Sequence, residues 1–149
     1  MYKFIASIVL ALSVLFGITA PTCDAAYPMQ TIDGIAYYNG DTNLPTYAYG
    51  SGGCSVAELN SAVLVNESKK TAVVDFYGFL VVFSRGWNDP VDPAEESNFA
   101  TRRLIYHKDT GKAEVIMGGK YTYKMISNEV RVGRMLYDAA MAAKDAKAE

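Results

Sequence analysis

The chain reads as an α+β domain: an antiparallel sheet of about five or six strands with one C-terminal helix packed on it. Three observations predict this. Apolar, β-branched runs bounded by turn residues fill the middle of the sequence, at Ala62–Val65, Thr71–Phe83, Thr101–His107 and Ala113–Met117. Lys120–Met125 then alternates polar and apolar residues without a break, the period of a half-buried strand. Finally Val132, Met135, Leu136, Ala139, Ala140 and Ala143 recur at spacings of three and four, forming one apolar helical stripe.

Residues 1–25 are expected to be a signal peptide rather than part of the fold. Lys3 supplies the basic start, Phe4–Ile18 the apolar stretch, and Cys23 and Ala25 the small residues before a cut after Ala25. A cut after Ala26 would place Asp24 three residues before it, and a cut after Ala20 would place Pro21 directly behind it. The alternative is a retained membrane anchor. A span needs about 20 apolar residues, and this run is shorter and contains Ser7 and Ser13. Lipid attachment at Cys23 fits less well, because Ala20-Pro21-Thr22 is a poor lead-in for it. The expected destination is the periplasm or the cell surface, with no stable membrane insertion after cleavage.

The remaining residues form one domain by length, long enough to bury a core without staples. Removing Lys3 and Asp24 leaves the net charge at the −2 of the full chain. That balance implies neither nucleic acid nor an anionic membrane surface. Tyrosine is frequent, with 11 in the chain; a place in strands and core explains it most simply.

Residues 26–53 read as an irregular N-terminal segment punctuated by Gly and Pro, with short strands at Ile35–Tyr38 and Thr46–Tyr49 and a turn at Asn39-Gly40. Residues 54–149 read as the sheet-plus-helix domain. Asn66–Lys70 forms a polar turn after Ala62–Val65. Thr71–Phe83 is too rich in β-branched and aromatic residues for a helix; it reads as a central strand buried on both faces, with Gly78 at a bulge or bend. Ser84–Asn98 reads as a loop, because Pro90 and Pro93 exclude a regular element. Lys108–Lys112 is a hairpin loop with a glycine suited to positive φ, and Gly118-Gly119 a two-residue turn. Ser127 is the expected N-cap, Glu129 complements the helix dipole, and Lys144 and Lys147 suit its other end.

Chemistry-bearing residues are sparse. Cleavage after Ala25 leaves Cys54 as the sole thiol, a possible free thiol or intermolecular link, though a small buried hydrophobe is the simpler reading. His107 is the only histidine; it sits at a strand end beside Lys108 and lacks the partners of a nucleophilic triad or a zinc site. Asp89, Asp92, Glu95 and Glu96 could offer oxygens to calcium, but their spacing departs from the EF-hand loop, so a solvated acidic loop is preferred. Gly50–Ser55 lacks the Lys-Ser/Thr of a phosphate-binding loop. Asn66-Glu67-Ser68 fits a glycosylation acceptor, relevant only in a eukaryotic pathway. Arg102 and Arg103 are adjacent on a strand and so point to opposite faces. Asp75 is the one ionisable residue inside the long apolar run, and needs a partner if buried. Trp87, the only tryptophan, is the candidate interaction residue.

Several segments together resemble a family. Tyr47-Ala48-Tyr49, then Cys54-Ser55-Val56 leading into Ala62–Val65, the Thr71–Phe83 strand, Arg103-Leu104-Ile105-Tyr106 and Lys108–Lys112 are similar in order and pattern to short exported bacterial proteins of the surface-adhesin protein E type. The resemblance spans roughly residues 45–125. It implies a small antiparallel sheet with a helix at the cell envelope. Some members carry a paired-cysteine arrangement that this chain lacks, and no functional residue carries over.

Taken together these readings predict a non-enzymatic, exported interaction or envelope-associated domain that uses no cofactor or metal and meets an unknown envelope or surface protein. Two alternatives stand beside it. An envelope enzyme, or a subunit of one, would have to work with carboxylates such as Asp75, Asp89 or Asp92 converging in a pocket. A small apolar-ligand carrier would need a Tyr-lined apolar cavity.

Overall fold

The computed structural model describes residues 28–50, 52–83, 95–117, 119 and 121–148. The expected signal segment with its cut after Ala25, and Trp87, Asp89 and Asp92, lie outside the described residues.

Among the described residues eight strands and one helix follow in chain order: β1 (Met29–Ile32), β2 (Ile35–Tyr38), β3 (Thr46–Gly50), β4 (Gly53–Glu67), β5 (Thr71–Val82), β6 (Glu95–His107), β7 (Lys112–Met117), β8 (Tyr121–Lys124) and α1 (Asn128–Asp145). Strands β3 to β8 form a curled antiparallel sheet in sequence order, and β1 and β2 form a separate hairpin. The architecture is therefore α+β, a mostly antiparallel sheet carrying one C-terminal helix.

The helix lies on the concave face, chiefly over β4. Its stripe buries Val132, Leu136 and Ala140 against Val74, Phe76, Leu104, Val115 and Ala62. Gly133 permits the close approach: a methyl there would sit 2.6 Å from the Ala113 Cβ and 3.1 Å from the Met125 Sδ. The far end of the helix is tied down through Glu67, which pairs with Lys108 at 3.0 Å and Lys144 at 3.6 Å and accepts from the Tyr137 hydroxyl at 3.0 Å.

Among the described residues the convex face is covered only at one end. There the β1–β2 hairpin lays Met29, Ala36 and Tyr38 over Cys54, Val56, Phe79, Val81 and Phe83. The hairpin is fixed to the helix by Asn128 Nδ2 and Arg131 Nη1, which donate to the carbonyls of Gly34 and Asp33 at 3.0 and 2.7 Å. Both faces of β2 are consequently buried.

Four expectations change in detail. β3 pairs with β4, so the stretch expected to be irregular contributes a strand to the main sheet, and Gly53 and Cys54 open β4 directly after its turn. β5 is an interior strand, but it is not buried on both faces: Asp75 and Tyr77 on its convex side reach solvent, because the hairpin is too short to cover them. The irregularity near Gly78 comes from an extra residue on β6, where Asn98 (φ +53°) and Phe99 bulge between the Gly78–Ala100 and Leu80–Ser97 pairs. β6 starts at Glu95, so Glu95–Asn98 belong to a strand and not to a loop.

Candidate binding cleft

The curl brings the two edges of the sheet towards each other. Ala48, Tyr49 and Gly50 of β3 and Tyr121 and Tyr123 of β8 line one cleft, whose floor is Ser55 of β4, Leu80 and Val82 of β5, and Met117 of β7. The cleft lies beyond the N-terminal end of α1 on the concave face. Its volume is about 320 Å³, at the small end of the range of about 300–1,000 Å³ typical of ligand sites. Tyr121 is 64% exposed and stands at the mouth.

Each wall has a local cause. β8 alternates, so Tyr121 and Tyr123 share one side, and Met125 beyond them is buried in the core. Tyr123 is held from the helix: its hydroxyl donates to both carboxylate oxygens of Glu129 at 2.9 Å. Burial first, and the Glu129 carboxylate second, push this phenol up to about 12. Glu129 also accepts the Ile126 N–H at 2.9 Å. This corrects the expected cap: Ser127 occupies the N-cap position at φ +44° but makes no side-chain bond, and the buried Glu129 instead holds the chain just ahead of the helix through Ile126.

Below the floor lies a polar group inside the core. Tyr47 is 1% exposed and packs edge-on against Phe76, with centroids 5.4 Å apart. Burial raises the pKa of its hydroxyl, opposed by the neighbouring Arg102 guanidinium and Ser55 hydroxyl. Arg102 is only 8% exposed. Its Nη2 donates to the Asn98 carbonyl at 3.0 Å, while its buried Nε has no partner. Among the described residues Arg102 forms no ion pair with a carboxylate. The sequence expectation that Arg102 and Arg103 diverge holds, since Arg103 turns to the convex face and meets Asp75 in a two-pronged pair at 2.7 and 2.8 Å. That Arg102 would be the buried member was not anticipated. The signal was available: Arg102 precedes Leu104 and Tyr106 by two and four residues, and these are core positions.

The remaining candidates fall elsewhere. Asp75 is engaged by Arg103 on a half-exposed face, away from the cleft. His107 Nε2 stands 3.7 Å from Glu114 at the other end of the sheet. Burial chiefly, and the neighbouring Glu96 carboxylate secondarily, push the Tyr38 phenol up to about 12. No group of three or more His, Cys, Asp or Glu side chains comes together among the described residues. Cys54 is a free thiol at 1% exposure under the β1–β2 hairpin, where burial pushes it up to about 11.

A second aromatic feature was not foreseen. On the convex face Phe99 stacks on both Tyr77 and Phe79, with centroids 6.3 and 5.3 Å away. Phe99 and Tyr77 are 49% and 39% exposed. The β6 bulge turns Phe99 out, and no periodicity rule places a bulge.

Comparison with protein-family models, with curated proteins and with solved structures gave no match.

Proposed function

We propose that this protein is an exported, non-enzymatic binding domain of the cell envelope that holds a small apolar ligand in the cleft between β3 and β8. The observation that supports this is the cleft itself, an apolar hollow walled by Tyr49, Tyr121 and Tyr123 where the two sheet edges converge. Aromatic walls with few polar groups suit recognition of apolar molecules. Of the readings the sequence left open, the carrier is the one that demands such a hollow.

Titration of the purified protein with the neutral fluorescent probe N-phenyl-1-naphthylamine tests the reading. Saturable one-to-one binding is expected, and Leu80→Trp, which fills the floor, should weaken it at least tenfold without changing the circular dichroism. Absence of saturable binding to the wild-type protein rules the reading out.

A protein-contact role has one specific observation behind it, the exposed Tyr77–Phe99 stack. Exposed aromatic clusters anchor protein interfaces. Phe99→Ser should then abolish capture of an envelope partner while leaving probe binding unchanged.

A further inference from the structure

We infer that the cleft receives a side chain of an extended peptide, which adds as a further strand to the open edge of β8. The inference rests on the cleft reading and names what carries the apolar group that the hollow holds. It starts from the backbone. β8 ends the sheet, and among the described residues no strand pairs with its outer edge. Its register fixes where its backbone groups point. Continued by one residue, the pairing of Glu114 with Lys124 sets Ala113 opposite Met125, and the Met125 N–H donates to the Ala113 carbonyl at 2.9 Å. Bonded and non-bonded pairs alternate along an antiparallel ladder. Tyr123 and Tyr121 therefore bond to Val115 and Met117, while the N–H and C=O groups of Thr122 and Lys124 point away from β7. Those outward groups are what a further strand uses.

The side chains sort in the same way. Tyr121 and Tyr123 line the cleft, whereas Thr122 and Lys124 lie outside its lining and are exposed. Every pair in this sheet is antiparallel. In a strand laid on β8 in that sense, the residue opposite Tyr123 shares its side and turns its side chain into the cleft. The residues before and after it, opposite Lys124 and Thr122, form the hydrogen bonds. One segment thus fits both the hollow and the edge. The facing wall leaves room for a main chain: it includes Gly50, Gly52 and Gly53, and a methyl on Gly50 would meet nothing within 4 Å. Glycine in a strand often marks a place where another backbone comes close. Lys124 sets a preference. A lysine on an open edge discourages unspecific pairing, and a carboxylate opposite it makes a favourable cross-strand pair. The peptide is therefore an alternating one, with apolar residues towards the cleft and an acid opposite Lys124. A free apolar molecule would fill the hollow and leave the edge unused.

Displacement of N-phenyl-1-naphthylamine by the peptide acetyl-Thr-Glu-Phe-Thr-Leu-Thr-amide tests this. Laid antiparallel, its Glu meets Lys124, its Phe meets Tyr123 and enters the cleft, and its second Thr meets Thr122. The peptide should displace the probe saturably. Methylating the amide nitrogen of that second Thr removes a donor aimed at β8 and should weaken displacement about tenfold or more, whereas methylating the Phe nitrogen, aimed away from β8, should change it by less than about threefold. Thr122→Pro removes the outward N–H and spares the bonds to β7; it should weaken the peptide about tenfold and leave the affinity for the probe unchanged. Equal displacement by the parent peptide and its second-Thr methyl analogue overturns the inference, and so does a bound probe that the parent does not displace. Both results are read on the wild-type protein and leave the apolar cleft standing. Full peptide affinity in folded Thr122→Pro also overturns it. Failure of the probe to bind removes the cleft reading itself, and this inference with it.

Discussion

The two ends of the concave face are built on opposite rules. At one end the helix closes on the sheet, with Leu136 at 0% and Ala140 at 1% exposure, and Gly133 brings the backbone close to Ala113. At the other end the sheet curls alone, the space between its edges stays open, and the buried Arg102 has no carboxylate partner among the described residues. The closed end is what a core looks like when stability is the only demand. The open end carries a hollow and a buried cation with no carboxylate partner among the described residues, both of which cost stability. Features that stability does not explain are where a role in binding is to be sought.

The largest effect that could break this contrast is a pair of truncations. Leu136→Ala should cost about 3 kcal/mol, as buried Leu truncations do, while Leu80→Ala on the cleft floor should cost less than about 1 kcal/mol. Urea unfolding of both variants measures this, and equal costs would erase the distinction between the ends. Next comes the thiol below the cleft on the convex face. Cys54 is held up to about 11 by burial, above its ordinary value of 9.0. A raised folded-state value means that its contribution is intact below pH 9 and is lost as pH rises through 11, a loss of up to about 2 kcal/mol. Melting temperatures across that window should fall more steeply for wild type than for Cys54→Val; parallel curves would show that the convex side of this end is not closed.

A smaller effect has the opposite sign. Arg102→Met should stabilise the protein by about 1 kcal/mol, because a buried charge with no carboxylate partner among the described residues is replaced by a chain of similar length. Destabilisation instead would place Arg102 in the fold's own support. The smallest effect is at the tied-down end of the helix. The bonds from Lys108 and Tyr137 hold the Glu67 carboxyl below its ordinary value. Its contribution is therefore present above the ordinary carboxylate range and lost as pH falls through the lowered value. Glu67→Gln should flatten the acid limb of the melting curve below about pH 4.5; an unchanged limb would mean that the tie carries nothing.

Much of the architecture was legible from periodicity. The alternation in Lys120–Met125 and the stripe from Val132 to Ala143 mark an edge strand and a helix with a defined inner side, and both occur as read. The turn at Lys108–Lys112 follows from Gly111, which adopts φ +66°. What escaped was non-local. Pairing of Thr46–Gly50 into the main sheet depends on β4, not on its own residues. The Asn98–Phe99 bulge answers a mismatch between two strands. Of the cleft, the Tyr121 and Tyr123 side was visible as a shared strand face, but nothing local to β8 announces that β3 curls round to meet it. Arg102 was visible as one of two diverging arginines; which one turned inward required extending the parity of Leu104 and Tyr106 back across the strand.

The placing of Glu129 has a mechanical consequence. This residue of the helix's first turn grips Tyr123, and the helix is seated by Gly133 against the sheet. The helix acts as a strut that sets the position of one wall of the cleft from a distance. With that wall's ring already immobilised, a ligand finds it in place and gives up less freedom on binding. Loosening the seat, by enlarging Gly133, should therefore be felt at the mouth of the cleft as well as in the core.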